Sequence, residues 1–163
     1  LGTLSVMTAF EAKVLTVSDG VTHGTREDLS GPALVAALEA AGAVVVETRI
    51  CADGAAVVSD ALADMSRGFR GVLVTTGGTG FAPRDETPEG TRLVIEREAP
   101  GLAEAMRTVS PLGRLSRGMA GISGGCIIIN TPGSPKGCVE QLNAVVDVLP
   151  HAVALLNQSP TEH

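Results

Sequence analysis

The sequence predicts an α/β fold, a three-layer, doubly wound and mostly parallel sheet with helices on both faces. Two observations carry this. Short apolar runs alternate with helix-patterned segments through short connections, as in a parallel sheet built from β-α-β units. Hydrophobic residues make up 44% of the chain but aromatics only 2%, with no Trp or Tyr. A core of Val, Leu, Ile and Ala suits strands buried on both faces.

The elements follow in order. Ala12 to Ser18 reads as a first strand ending at Ser18-Asp19-Gly20. Ser30 is the expected cap of a helix carrying Leu34, Val35, Leu38 and Ala41 on one face, stopped by Gly42. Val44 to Ile50 is a second strand, closing on Cys51-Ala52-Asp53-Gly54. A helix over about residues 55–67 should bury Val57, Val58, Ala61, Leu62 and Met65. Val72 to Thr75 then runs into Thr76-Gly77-Gly78-Thr79-Gly80. Thr87 and Pro88 are expected as N-cap and first residue of a helix carrying Leu93, Val94 and Ile95. Pro100-Gly101 opens another with Leu102 and Met106, before a Gly-rich stretch holding a turn and a short strand. Cys126 to Asn130 is an apolar strand. Ser134 and Pro135 start a last helix over about 135–157, kinked at Pro150. Residues 1–10 read as a loose lead-in and 158–163 as a frayed end. A single domain is expected, with its core over about residues 12–157.

Composition excludes several classes. The net charge is −6, and no basic stripe with interleaved aromatics exists to hold nucleic acid. No apolar run reaches membrane-spanning length, and no basic, then apolar, leader opens the chain. Cys51, Cys126 and Cys138 are odd in number and lack metal-ligand spacing, which points to free thiols in a reducing cytoplasm.

The chemistry concentrates between Val72 and Glu89. A strand ending in Gly77-Gly78-Thr79-Gly80 can turn successive N–H groups into an anion-holding nest, because glycine adopts positive φ and lets a ligand approach the main chain. Asp85 follows five residues later, and the helix start at Thr87-Pro88 adds further N–H groups. Neither a P-loop nor a dinucleotide fingerprint is present. The arrangement reads as a phosphate and metal site. Right-handed crossovers should bring Ser18-Asp19, Asp53 and Gly77–Asp85 to one sheet edge, where ligands bind in such folds. His23, His151 and His163 fall outside these motifs and read as structural or solvated.

The ordered motifs V-S-D (17–19), D-L-S-G-P (28–32), T-T-G-G-T-G (75–80), P-R-D-E-T-P-E (83–89), L-S-R (115–117) and N-T-P-G-S-P-K (130–136) resemble the MogA/MoaB-type molybdopterin-binding family. The resemblance covers about residues 12–156. It implies molybdopterin adenylyltransferase activity, with Mg²⁺ and ATP, as a homotrimer with a possible MoeA-like molybdenum-insertase partner. It places catalytic, metal-linked roles on Asp53 and Asp85. Nucleotide contacts fall on Thr76, Gly77, Gly78, Thr79, Gly80, Thr87 and Pro88. Molybdopterin contacts fall on Ser18, Asp19, Ser116, Asn130, Pro132, Gly133, Ser134 and Lys136. Arg84, Arg117 and Lys136 are candidate counter-charges, with exposed ion pairs the competing reading for the two arginines. Gly20 departs from the Arg that many relatives carry there. Two other readings stand beside the enzyme: a MoaB-like binder of molybdopterin or a partner without adenylyl transfer, and a CinA-like nucleotide hydrolase.

Overall fold

The computed structural model describes residues 9–158. The expected loose lead-in and frayed end lie outside them for residues 1–8 and 159–163. A six-stranded sheet runs in the order β2-β1-β3-β6-β5-β4. Its parallel part is β1 (Glu11–Val17), β2 (Val44–Cys51), β3 (Gly71–Thr76) and β6 (Cys126–Thr131). Strands β4 (Arg97–Glu98) and β5 (Ala120–Ser123) extend it antiparallel at one side.

Helices cover both faces. On one face α2 (Ser30–Ala40), α5 (Pro100–Arg107), α6 (Pro135–Asn143) and α7 (Leu149–Leu156) bury Leu34, Leu38, Met106, Leu142 and Leu149 against Val14, Val74 and Ile129. On the other, α3 (Ala55–Ser66) buries Val58, Leu62 and Met65 against Leu15, Leu73 and Ile128. Alternate residues of β1, β3 and β6 thus feed opposite layers, as the period of a strand requires. The short helices α1 (Asp19–Thr22) and α4 (Thr87–Arg92) sit beside the strand ends and complete the fold. Among the described residues no single helix is long and apolar enough to cross a membrane. The three cysteines are free, and burial pushes the Cys51 and Cys138 thiols up to about 11 and Cys126 to about 12.

Several local expectations are corrected. The side chain capping α2 is Asp28, whose Oδ1 accepts from Gly31 N–H at 2.9 Å, and not Ser30. Asp28 Oδ2 also accepts from Thr16 Oγ1 at 2.9 Å, which ties the helix start to β1. Thr87 lies inside α4, with Glu86 at the N-cap, and its hydroxyl donates to the Gly77 carbonyl at 2.9 Å. Helix α4 ends at Arg92, leaving Leu93 exposed, and the chain enters the two-residue β4 where a longer helix was expected. Val57 is likewise exposed on α3. The expected kinked helix over 135–157 is broken at residues 144–145, where Pro135–Asn143 is inclined at 45° to Val146–Leu156, and the second segment opens on a 3-10 turn at Val146–Val148 before α7. Pro150 occupies the first turn of α7, where its missing N–H costs nothing. The cap at Ser134 stands: its Oγ accepts from Gly137 N–H at 3.1 Å.

The centre of the sheet is pinned by one polar side chain. Asn130 is buried, and its amide donates to Thr75 Oγ1 (3.1 Å) and Thr91 Oγ1 (2.9 Å) while its carbonyl oxygen accepts from Met119 N–H (3.1 Å). It thereby joins β3, β6, α4 and the strand entering β5. Asn130→Ala strands Met119 N–H and Thr75 Oγ1, while Thr91 Oγ1 keeps its bond to Thr87 O, and a loss of about 2–3 kcal/mol is expected in urea unfolding.

Candidate active site

Strands β1, β2, β3 and β6 all end on the same edge, so their C-terminal loops share one cavity of about 1070 Å³. The loop after β3 forms its floor. Gly77 and Gly78 have φ of +99° and +68°, a region favoured only by glycine. A Cβ at Gly77 would stand 2.2 Å from the Val17 carbonyl oxygen, and one at Gly78 would stand 2.3 Å from Thr87 Oγ1 and 3.1 Å from Asp53 Oδ1. One at Gly80 would stand 3.0 Å from Asp85 Oδ2. Asp53 and Asp85, thirty-two positions apart in sequence, therefore flank a single glycine loop.

The sequence-identified residues divide by position. Ser18, Asp53, Thr76, Gly77, Gly78, Thr79, Gly80, Asp85, Ser116, Pro132, Gly133, Ser134 and Lys136 line the cavity. Thr87, Pro88 and Asn130 are buried off its lining, where Thr87 supports the Gly77 carbonyl and Asn130 the sheet. Asp19 sits at the site's edge with its carboxylate engaged by protein groups. The two central loops are also stitched together: Thr76 Oγ1 donates to Pro132 O at 2.8 Å, and Gly77 N–H donates to Thr131 O at 3.1 Å.

Asp19 and Asp53 exchange reciprocal hydrogen bonds. Asp19 N–H donates to Asp53 Oδ2 at 2.9 Å, and Asp53 N–H donates to Asp19 Oδ1 at 3.1 Å. Arg84 forks onto Asp19, Nε to Oδ2 at 2.6 Å and Nη2 to Oδ1 at 3.1 Å, and Nη2 also donates to the Asp53 carbonyl at 2.9 Å. The Arg84 guanidinium holds the Asp19 carboxyl below the ordinary carboxylate range. Asp53 goes the other way: burial, together with the like charges of Asp19 and Asp85, pushes its carboxyl up. The hydrogen bond from Asp19 N–H and the charge of Arg84 oppose that rise without cancelling it.

For Arg117 the sequence left two readings, a counter-charge or an exposed ion pair, and the structure shows the pair, with Glu89. Arg117 is also a brace for the glycine loop. Its Nε donates to Gly80 O at 2.8 Å, its Nη2 to Asp85 O at 2.6 Å and its Nη1 to Glu89 Oε2 at 2.7 Å. Its own N–H donates to Thr79 O at 2.8 Å. Lys136, by contrast, keeps its ammonium in solvent at the start of α6, 3.8 Å from Glu140. Sequence reasoning missed the apolar wall on the far side, where Val109, Leu112 and Leu115 line the cavity from a 3-10 turn at Pro111–Leu115. Leu112 and Leu115 are both exposed, and with Val109 they form an apolar patch at the cavity. The only signal was two leucines inside an irregular Gly-rich stretch.

No group of three or more His, Cys, Asp or Glu side chains among the described residues could enclose a metal ion. The donor set at the loop is two carboxylates, Asp53 and Asp85. That set fits a hard divalent cation which keeps several waters and takes phosphate oxygens as its remaining ligands, as Mg²⁺ does.

A raised carboxyl pKa means the folded chain binds that proton more tightly than the unfolded one. Ionised Asp53 therefore costs stability above its folded pKa, and the cost disappears as pH falls below the unfolded value. Asp53→Asn should melt at a higher temperature than wild type at pH 7, with the difference closing toward pH 3 in thermal unfolding.

Comparison with known proteins locates this architecture. The family model described as a probable molybdopterin binding domain matches residues 13–151. Molybdopterin adenylyltransferase of Helicobacter pylori strain J99 is 39% identical over 150 residues, covering 88% of this chain and 85% of that protein. The enzyme of the same name from Escherichia coli K12 is 36% identical, covering 86% and 76%. The match to the larger cinnamon protein of Drosophila melanogaster spans 25% of its length, and that to Dictyostelium discoideum gephyrin 22%. The crystal structure of the molybdopterin biosynthesis enzyme MoaB from Thermus thermophilus superposes with a TM-score of 0.86 at 42% identity, covering 94% of this chain and 99% of that one. With the matched region running from β1 into α7, this chain belongs to the molybdopterin-binding domain family.

Proposed function

We propose that this chain is a molybdopterin adenylyltransferase, which transfers AMP from Mg-ATP to the molybdopterin phosphate and releases pyrophosphate. The observation that carries the reading is the meeting of Asp53 and Asp85 on one glycine loop inside a large cavity. The names of the bacterial relatives of similar length point the same way.

In this reading an oxygen of the molybdopterin phosphate attacks the α-phosphorus of ATP. A new O–P bond forms, the bond from the α-phosphorus to the bridging oxygen breaks, and pyrophosphate leaves with the electron pair. The attacking phosphate is already ionised near neutral pH, so no general base is needed. The work left to the protein is positioning and charge neutralisation. Mg²⁺ held by Asp53 and Asp85 would supply positive charge to the phosphate oxygens. The loop Thr76 to Gly80 takes the triphosphate, and Thr87 and Pro88 support it. It has the main-chain N–H groups of Gly78, Thr79 and Gly80 to offer, since Gly77 N–H is spent on Thr131 O. Ser18, Ser116, Pro132, Gly133, Ser134 and Lys136 receive the molybdopterin, with Lys136 as the counter-charge for its phosphate. The leucine wall at Leu112 and Leu115 gives a planar ring an apolar face.

The same reading takes a cytoplasmic homotrimer that passes its product to a MoeA-like insertase. Free, buried thiols suit that compartment. Asp85→Asn keeps the side-chain shape and the acceptor for Ala82 N–H, which now donates to Asp85 Oδ2 at 3.0 Å. It should fold normally and lose AMP transfer by about 10²-fold or more, a loss comparable with removal of one electrostatic group. Wild-type transfer by that variant, measured as pyrophosphate release with molybdopterin and Mg-ATP, sinks the assignment.

A further inference from the structure

We infer that Arg84 is a positioning residue, a strut that fixes the Asp53 carboxylate relative to Asp85 by neutralising and anchoring Asp19. The inference rests on the proposed adenylyl transfer and assigns Asp19 and Arg84 to the metal side of that site, rather than to molybdopterin or phosphate.

The geometry is a closed chain of contacts. Arg84 is the residue before Asp85 on the loop from β3 to α4. Its guanidinium crosses to the ends of β1 and β2, where it holds both Asp19 oxygens and the Asp53 carbonyl. Asp19 then grips Asp53 in two places, through its own N–H on Asp53 Oδ2 and through its Oδ1 on Asp53 N–H. Both ends of the Asp53 residue are thereby fixed to the segment that carries Asp85. Asp53 Oδ1 is left on the side of the glycine loop, near Gly78.

Charge points the same way. Three aspartates converge here, and Arg84 pairs with one of them. Asp53 and Asp85 keep two negative charges, which a single divalent cation matches. An Asp19 without its guanidinium would add a third. The Nε–Nη2 fork of Arg84 is taken by Asp19 and the Asp53 carbonyl, which leaves Nη1 alone for any phosphate.

Arg84 is 62% exposed, so its ion pair adds little to global stability. This separates a positioning role from a structural one. Arg84→Met should shift the melting temperature by no more than about 2 °C. It should weaken binding of Mn²⁺ in the presence of ATP by roughly ten- to a hundredfold, the usual effect of removing a group that orients a metal ligand. Arg84→Lys should not restore binding, since one ammonium cannot span both Asp19 oxygens and the Asp53 carbonyl. Water-proton relaxation of Mn²⁺-ATP titrated with protein reads the affinity. Amide hydrogen exchange at Asp19 and Asp53 reads the strut directly and should quicken in both variants. Wild-type Mn²⁺-ATP affinity in Arg84→Met, or unchanged exchange at both amides, overturns the strut. A wild-type protein that does not take up Mn²⁺-ATP overturns the adenylyl-transfer reading instead, and exchange at the two amides still decides the strut.

Discussion

Everything at this site depends on main chain that has no side chain in the way. From Gly77 to Gly80 the backbone passes within contact distance of the Val17 carbonyl, the Thr87 hydroxyl and the carboxylates of Asp53 and Asp85. A single methyl group at Gly77 or Gly78 would meet backbone or a buried hydroxyl at little more than 2 Å, at a φ that other residues adopt only under strain. The glycine run is thus a packing requirement. It lets four loops from four strands close on one point.

Charge is the second constraint. A chain of net charge −6 that gathers three aspartates at one point must manage their repulsion. It does so unequally, giving Asp19 a guanidinium and leaving Asp53 half-buried beside a second aspartate. A carboxylate held in an unfavourable state in the folded protein is a store of affinity for a cation, at some cost in stability. The arginines belong to this arrangement. Arg84 is engaged by Asp19 and the Asp53 carbonyl, and Arg117 by the Gly80 and Asp85 carbonyls, so both guanidinium groups hold the strand-end loops together.

Several elements escaped the sequence for identifiable reasons. Leu93, Val94 and Ile95 look helical in a linear reading, yet α4 stops at Arg92 and Arg97–Glu98 pairs with β5. Such a two-residue strand exists only because Ile122 and Gly121 lie opposite. The final helix carries a continuous apolar stripe, but the chain turns through 45° to keep both halves on the sheet. The family resemblance places Asn130 among the molybdopterin contacts. It is buried at the last turn of β6, and its hydrogen bonds go to Thr75, Thr91 and Met119.

By itself the sequence determined the alternating strands and helices, the parallel order of the core and the edge at which the polar loops emerge. These follow from periodicity, glycine and proline placement, and the handedness of crossovers, all local properties. Glycine placement also marked the loop after β3 with Asp85 beside it, and the family resemblance joined Asp53 to them. The tertiary structure alone decided which charges pair. Asp19 with Arg84, and Arg117 with the Gly80 and Asp85 carbonyls, join residues 65, 37 and 32 positions apart. A long side chain reaches any partner within its length, and only the folded arrangement of strand ends selects one.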